Sequence, residues 1–459
     1  MSSKRSRGLL NSATALASFA IIGLAPQLAA QSFEDARGNM SFSLAGDAII
    51  TRAMQPYREP GFLALRDLIQ GTTAGFVNLE VLFHDYEEDV IPAASSGGTY
   101  MRAEPRLASE LTWFGFDMVS LSNNHTMDFG AGGARRTKKA AEAAGLSVAG
   151  FGENLAAARA PAFTETPGGR VALISIASTF SDGMRAGHQR PDMRGRPGLS
   201  PMRYQTEVTV LPADMAGLRG AINAWRPGAG NGRSVGMSGV RFVEGSSPGV
   251  RTTAHAGDLA EVVAVVEDAR RQADWVIVTS HSHEGAPGNR NVPADFVVEV
   301  AHAVIDAGAH MFVAHGPHVV RGIEIYKDAP IFYSLANFIF QNETVELQPA
   351  DNYAAQGLEH TDHPGQFQST RIENMGGGFP ADPAYWESFL AVTEYEAGKL
   401  KEVRLHPITL GHGLSRAVRG RPILADEELG WKILDEMAEL SRPFGATLTV
   451  ENGVGIIRP

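Results

Sequence analysis

The sequence predicts an α/β fold in which helices cover a sheet, and two observations carry that expectation. Short apolar runs alternate with helix-patterned stretches along most of the 459 residues, the rhythm of layered α/β domains. Polar residues able to ligate a metal or move a proton then follow the apolar runs, at the sheet edge where such folds place their sites.

The elements follow in order. From Met40, SFSLAGD reads as a strand ending in Gly46-Asp47, GFLALRDLIQ as a helix, and AGFVNLE as a strand ending in Asn78 and Glu80. EPRLASELTWFG suits a helix with Pro105 in its first turn. DMVSLSNNH follows as a strand, ARRTKKAAEAAG as a helix closed by Gly145, and LSVAGFG and RVALISIAS as strands. Residues from about 179 to 255 break the rhythm with Gly, Arg, Pro and Met, and read as long insertion loops, either facing substrate or simply on the surface. Alternation resumes with the helix GDLAEVVAVVEDARRQAD, the strand WVIVTS, the helix PADFVVEVAHAVIDAG and the strand HMFVA. A second irregular insertion covers about 341–383. SFLAVTEYEAGKLKEVRLHPITL is a hairpin turning at Ala397-Gly398, and ADEELGWKILDEMAEL an amphipathic helix on the outside.

Three domains of sequence result: a leader over 1–30, a main domain over 31–424 with the two insertions, and a C-terminal helix and tail over 425–459. The leader carries Lys4, Arg5 and Arg7, an apolar run near Ala13–Leu24 and small residues up to Ala30. That is the pattern of a secretory signal peptide cut near Ala30, so a periplasmic or extracellular location is expected. Forty basic against fifty-one acidic residues leave a net charge of −11, which argues against nucleic acid or an anionic membrane as the main partner. An anionic substrate stays compatible, because bound cations can dominate the field of a site. With no cysteine, any metal must be held by nitrogen and oxygen.

The chemistry-bearing residues sit at strand ends. Asp47 and Glu80 are carboxylates on neighbouring strands, which repel unless a cation lies between them or one is protonated. Asn124 offers a neutral oxygen, His125 a proton for a leaving group, and Asp128 a partner to orient His125. In HSHEG, His281 and His283 alternate along an extended segment and face one side, one as ligand and the other as acid–base or substrate-contact group. Gly316 and Pro317 bend AHGPH so that His315 and His318 converge. Asn337, in YSLANF, either holds a loop or contacts substrate. Ser334 lacks the glycine-flanked elbow of a serine hydrolase.

Taken together, GD at 46–47, NLE at 78–80, SLSNNHTMDFG at 120–130, GFGENLAAARAPA at 150–162 and HGPHVVRGIEIYKDAPIFYSLANF at 315–338 resemble the CapA family of poly-γ-glutamate capsule synthesis proteins, within the calcineurin-like metallophosphatase superfamily. The resemblance spans about 40–340 and the hairpin after Trp386. It implies a four-layer α/β/β/α sandwich holding one or two divalent metal ions (Mn, Zn or Fe). Asp47, Glu80, Asn124, His281 and His318 would be ligands, with His315 a further candidate. His125 matches the superfamily's proton-donating or phosphate-contacting histidine, with His283 or His315 making up the ligand count. From the residues themselves, His283 and Asp128 are expected to serve catalysis with it, and Asn78 and Asn337 to contact substrate. The sequence departs from the pattern at Ile49, where related phosphoesterases carry a histidine, and in HSH, SLANF and AHGPH. The implied function is an exported metal-dependent hydrolase linked to capsule or extracellular polyglutamate, acting on an anionic polymer or phosphoester alongside membrane-bound capsule synthesis partners. A periplasmic phosphomonoesterase or nucleotidase and a non-catalytic metal-binding scaffold are the alternatives.

Overall fold

The structure, a computed structural model, describes residues 38–376, 379 and 381–459; the expected signal peptide lies outside these. The chain folds as a mixed α/β protein. In chain order its main elements are β1 (Met40–Ile49), α1 (Pro60–Gln70), β2 (Ala74–Leu79), α2 (Ala108–Phe114), β3 (Met118–Ser120), α3 (Gly130–Ala143), β4 (Ser147–Ala149), β5 (Ala162–Thr166) and β6 (Gly169–Ala177). After the first insertion come α4 (Ala256–Ala269), β7 (Trp275–His281), α5 (Asp295–Asp306), β8 (Met311–His315), β9 (Ile323–Tyr326), β10 (Ala329–Phe332) and β11 (Asn337–Phe340). The second insertion leads to β12 (Glu387–Glu396), β13 (Lys399–Thr409), α6 (Glu427–Ser441), β14 (Leu448–Glu451) and β15 (Val454–Ile457).

Two large sheets result. The ten-stranded one runs β14-β15-β13-β12-β1-β2-β3-β4, with β11 also pairing β1 and a short strand at Ile423–Leu424 pairing β13. The six-stranded one runs β9-β10-β8-β7-β6-β5. β1 to β4 pair in parallel, as do β6, β7, β8 and β10, so their carboxyl ends gather at one edge of each sheet. The strands β2, β7 and β8 are buried at every position. That explains their unbroken apolar runs, since a parallel strand is covered on both faces.

Alternate side chains of β1 serve different cores. Phe42 and Leu44 join a cluster that also holds Leu173, Trp275, Ile277 and Met311 of the six-stranded sheet. Ala45, Ala48 and Ile49 join Leu65, Leu111 and Ala134 from α1, α2 and α3. On the far side of the six-stranded sheet, Ile174, Val276 and Val278 pack with Val262 and Val266 of α4 and Val297 and Val300 of α5. Asp426 caps α6 by accepting from Leu429 N at 2.9 Å. Ile433, Leu434 and Met437 of α6 enter the cluster shared by the sheets, each burial stabilising by roughly 1.5–3 kcal/mol at most.

Three expectations are corrected. Residues 204–254 are not loops: Tyr204–Val210 pairs with Val240–Glu244 and Gly249–Ala254, and Ser234–Met237 completes a four-stranded sheet. The helix Pro212–Trp225 covers it through Met215 and Ile222, which pack on Val235. The second insertion likewise carries helices, Ala350–Ala355 and Pro364–Asn374. The segment beyond 424 holds more than a helix and tail, because β15 pairs with β13 and extends the large sheet. No helix of the described residues is long and apolar enough to cross a membrane.

Candidate metal centre

Strand register sets the site. Asp47 on β1 is the pairing partner of Asn78 on β2 and of Asn337 on β11. His281 and His315, the last residues of β7 and β8, are likewise directly opposite each other. The ladder is irregular between Ala45 and Asp47, where Gly46 lets β1 pass close to the 335–336 backbone. A Cβ there would sit 1.9 Å from the Ala336 carbonyl oxygen, which accepts from Asp47 N at 2.9 Å.

Around this edge the polar side chains converge. Asp47 Oδ1 lies 3.4 Å from His315 Nδ1 and 3.8 Å from His281 Nδ1, and its Oδ2 lies 3.2 Å from His318 Nδ1. Glu80 Oε1 is 3.7 Å from His281 Nε2, 3.8 Å from His318 Nε2 and 3.9 Å from His125 Nε2. His281 Nδ1 is 3.0 Å from His315 Nδ1, and His281 Nε2 is 3.0 Å from His283 Nε2. Three groups of ligand atoms within 4.8 Å follow: Asp47, His281 and His315; Glu80, His281 and His283; Asp47, Glu80 and His318. Asn124 and His125 line the adjoining cavity together with His283 and His318.

Neighbouring groups hold these ligands in place. Asn78 Nδ2 donates to Asp47 Oδ1 at 2.8 Å, and Gly316 N to Oδ2 at 3.1 Å. Asn337 Nδ2 donates to the Tyr385 carbonyl at 2.9 Å, which turns its Oδ1 toward His318 Nδ1 at 2.8 Å. His318 therefore donates from Nδ1 and leaves Nε2 bare on the Glu80 side. Asn78 and Asn337, expected at the substrate, are both fully buried and spend their amides on Asp47 and His318. His125 Nδ1 is 2.7 Å from Asp128 Oδ2, as its spacing suggested. Asp128 also accepts from Met101 N at 2.8 Å. Asn123 was not singled out in the sequence, yet its Oδ1 accepts from His125 N at 3.0 Å while its Nδ2 donates to Leu79 O at 2.8 Å. The doubled asparagine of NNH was the available signal.

Electrostatics push the two carboxylates apart. Burial, with Asp47 and Asp128 nearby, raises the Glu80 carboxyl well above its ordinary range. Burial acts on Asp47 in the same sense, but the imidazoles of His315 and His318 beside it outweigh burial and hold its pKa low. Burial and the neighbouring histidines keep His281 neutral, and burial drops His283 to about 3. Neutral imidazoles are the form that binds metal.

The residues fit a divalent metal on their own showing. Both oxygens of the fully buried Glu80 lack a hydrogen-bond partner, and so does Asn124 Oδ1. Buried acceptors are normally satisfied, and these are not. The donor set is imidazole, carboxylate and amide oxygen, suited to first-row divalent metals.

The bacterial capsule synthesis protein family PGA_cap matches residues 41–342, a span that holds every one of these candidate ligands. The chain belongs to that family. Members differ in reach. It is 36% identical to a Sinorhizobium fredii protein, y4uA, over 90% of this chain and 92% of that one. It is 29% identical to the capsule biosynthesis protein CapA of Bacillus anthracis, over 49% of this chain and 40% of CapA. A probable polyglutamine synthesis accessory protein of Mycobacterium tuberculosis is 27% identical over 53% of this chain and 50% of its own length.

Proposed function

We propose that this PGA_cap member is an exported, metal-dependent hydrolase acting on a capsule-type or extracellular polyglutamate polymer, on the four-layer α/β/β/α sandwich of the calcineurin-like metallophosphatases. The observation that carries the reading is Glu80, a fully buried carboxylate with two unpartnered oxygens facing three imidazole nitrogens at 3.7–3.9 Å. An uncompensated buried carboxylate is costly unless a cation or a proton relieves it. The core shared by the two sheets, with helices on their outer faces, supports the layered reading. The names of the Bacillus and Mycobacterium relatives support a polymer-related role, with membrane-bound capsule synthesis proteins as partners. The basic and apolar N-terminal sequence supports export.

Asp47, Glu80, Asn124, His281 and His318 would hold the metal, with His283 and His315 completing the set. Bound there, a divalent ion supplies Lewis acidity and an activated water. The chain's own residues do the rest. Asp128 fixes the His125 ring through Nδ1, leaving Nε2 to take up a proton and pass it to the leaving group. Asn78 and Asn337 orient Asp47 and His318.

Metal analysis combined with turnover tests this. Protein stripped and reloaded with Mn, Zn or Fe is offered γ-linked polyglutamate and a panel of phosphomonoesters. Asp47→Asn and His318→Ala should lose metal, whereas His125→Ala should keep it and lose turnover by about 10²–10⁴-fold. Equal metal content in all three variants would reject the ligand assignment. Chelator-sensitive release of phosphate alone would move the function to a phosphomonoesterase. Metal-free protein that still supports polymer assembly would make it a scaffold.

A further inference from the structure

The cavity beside the metal centre, about 550 Å³, joins two unlike walls. One is built from His125, His283 and His318. The other comes from the second insertion and includes Asn352, Gln356, Arg371 and Phe379. No aspartate or glutamate is among its described lining residues, in a chain with 51 acidic side chains and a net charge of −11.

Arg371 stands out on that wall. It is 8% exposed, lies with its guanidinium 5.6 Å from the Phe379 ring centre, and among the described residues makes one long hydrogen bond, to Gln368 Oε1 at 3.5 Å. No carboxylate of the described residues is in ion-pair range of it. The acidic group whose field it feels is Glu343, and that carboxylate is already clamped by Arg416 and Arg419. Burial lowers the guanidinium only to about 10, so it is charged at neutral pH. Arg290, the other cation of the cavity, is committed to Asp382 and Tyr385. A largely buried, charged guanidinium that faces the cavity without a carboxylate partner is free to meet an anion there, and its planar fork suits carboxylate or phosphate.

We infer that Arg371 is a specificity-determining residue that receives an anionic group of the substrate, a carboxylate or a phosphate, inside the cavity beside the metal centre. The inference rests on reading that centre as the catalytic one. Arg371 lies beyond residue 342, where the match to the PGA_cap family ends.

Isothermal titration calorimetry on metal-free and metal-loaded protein tests it, with γ-linked diglutamate, its neutral amide analogue and inorganic phosphate as probes. Arg371→Met should weaken binding of the preferred anion about hundredfold and Arg371→Lys about tenfold, with the neutral analogue unaffected. Loss confined to diglutamate identifies a carboxylate, and loss confined to phosphate a phosphoryl group. Unchanged affinity for both anions, an equal loss for the neutral analogue, or no anion binding by the unmodified protein would overturn the assignment. If Arg371→Met fails to fold by thermal melting, Arg371→Lys decides alone, and unchanged affinity there is again fatal. Failure of the catalytic reading shows separately, as missing metal or turnover in a protein whose metal-free form still binds the anion through Arg371.

Discussion

Thr279 fixes the tautomer of His315. Its hydroxyl donates to the Val313 carbonyl at 2.9 Å and has no second proton, so the 2.9 Å contact with His315 Nε2 has the imidazole as donor. The His315 Nδ1 that faces Asp47 is consequently a bare lone pair. Thr279→Val keeps the shape of the side chain and removes the acceptor. It should weaken metal binding about tenfold, read by competition with a chelating dye, while the unfolding midpoint shifts little.

Asp128 should matter for turnover and not for metal. Its carboxylate holds His125 Nδ1 without entering any of the three ligand groups. Asp128→Asn is expected to lower kcat about 10²-fold, with metal content unchanged by elemental analysis. Metal loss in this variant would place Asp128 in the ligand set.

Gly46 should be intolerant of any side chain. A Cβ would meet the Ala336 carbonyl oxygen at 1.9 Å, so Gly46→Ala must push β1 away from residues 335–336. The expected cost is about 1–3 kcal/mol in urea unfolding, with weaker metal binding because Asp47 moves as well. Gly38→Ala, whose Cβ meets nothing closer than 3.9 Å, serves as control and should stay within about 0.5 kcal/mol.

Acid should destabilise the fold through His310, outside the metal centre. Burial, with Arg270 nearby, lowers its pKa to about 3, and its Nδ1 accepts from Val276 N at 3.0 Å. The folded state therefore binds fewer protons than the unfolded state between about pH 6.5 and 3. Stability from this group is complete above that window and is lost as pH falls through it. His310→Asn keeps an acceptor that does not titrate. It should lessen the loss of unfolding free energy between pH 7 and pH 5 by about 2 kcal/mol.

Much of the site could be read from local sequence because parallel strands deliver their terminal residues to one edge. Asp47, Glu80, His281 and His315 each follow an apolar run, and the register brings them together. The expected α/β alternation matches β1 to β4 and β6 to β8. Non-local pairing hid the rest. Tyr204–Val210 is a strand because Gly249–Ala254 and Val240–Glu244 lie beside it, while its Gly- and Arg-rich flanks suggest loops. The β14–β15 hairpin is likewise stabilised by joining β13. Arg371 carried no motif, since its position on the cavity depends on how the helix Pro364–Asn374 folds back.

The two walls of the cavity also have different histories open to them. The histidine side is locked into strand ends by register, so drift there would disperse the candidate ligands. The opposing helices hang from a segment beyond residue 342, where the match to the PGA_cap family ends. A relative with another segment there would present a different wall to the same strand-end residues.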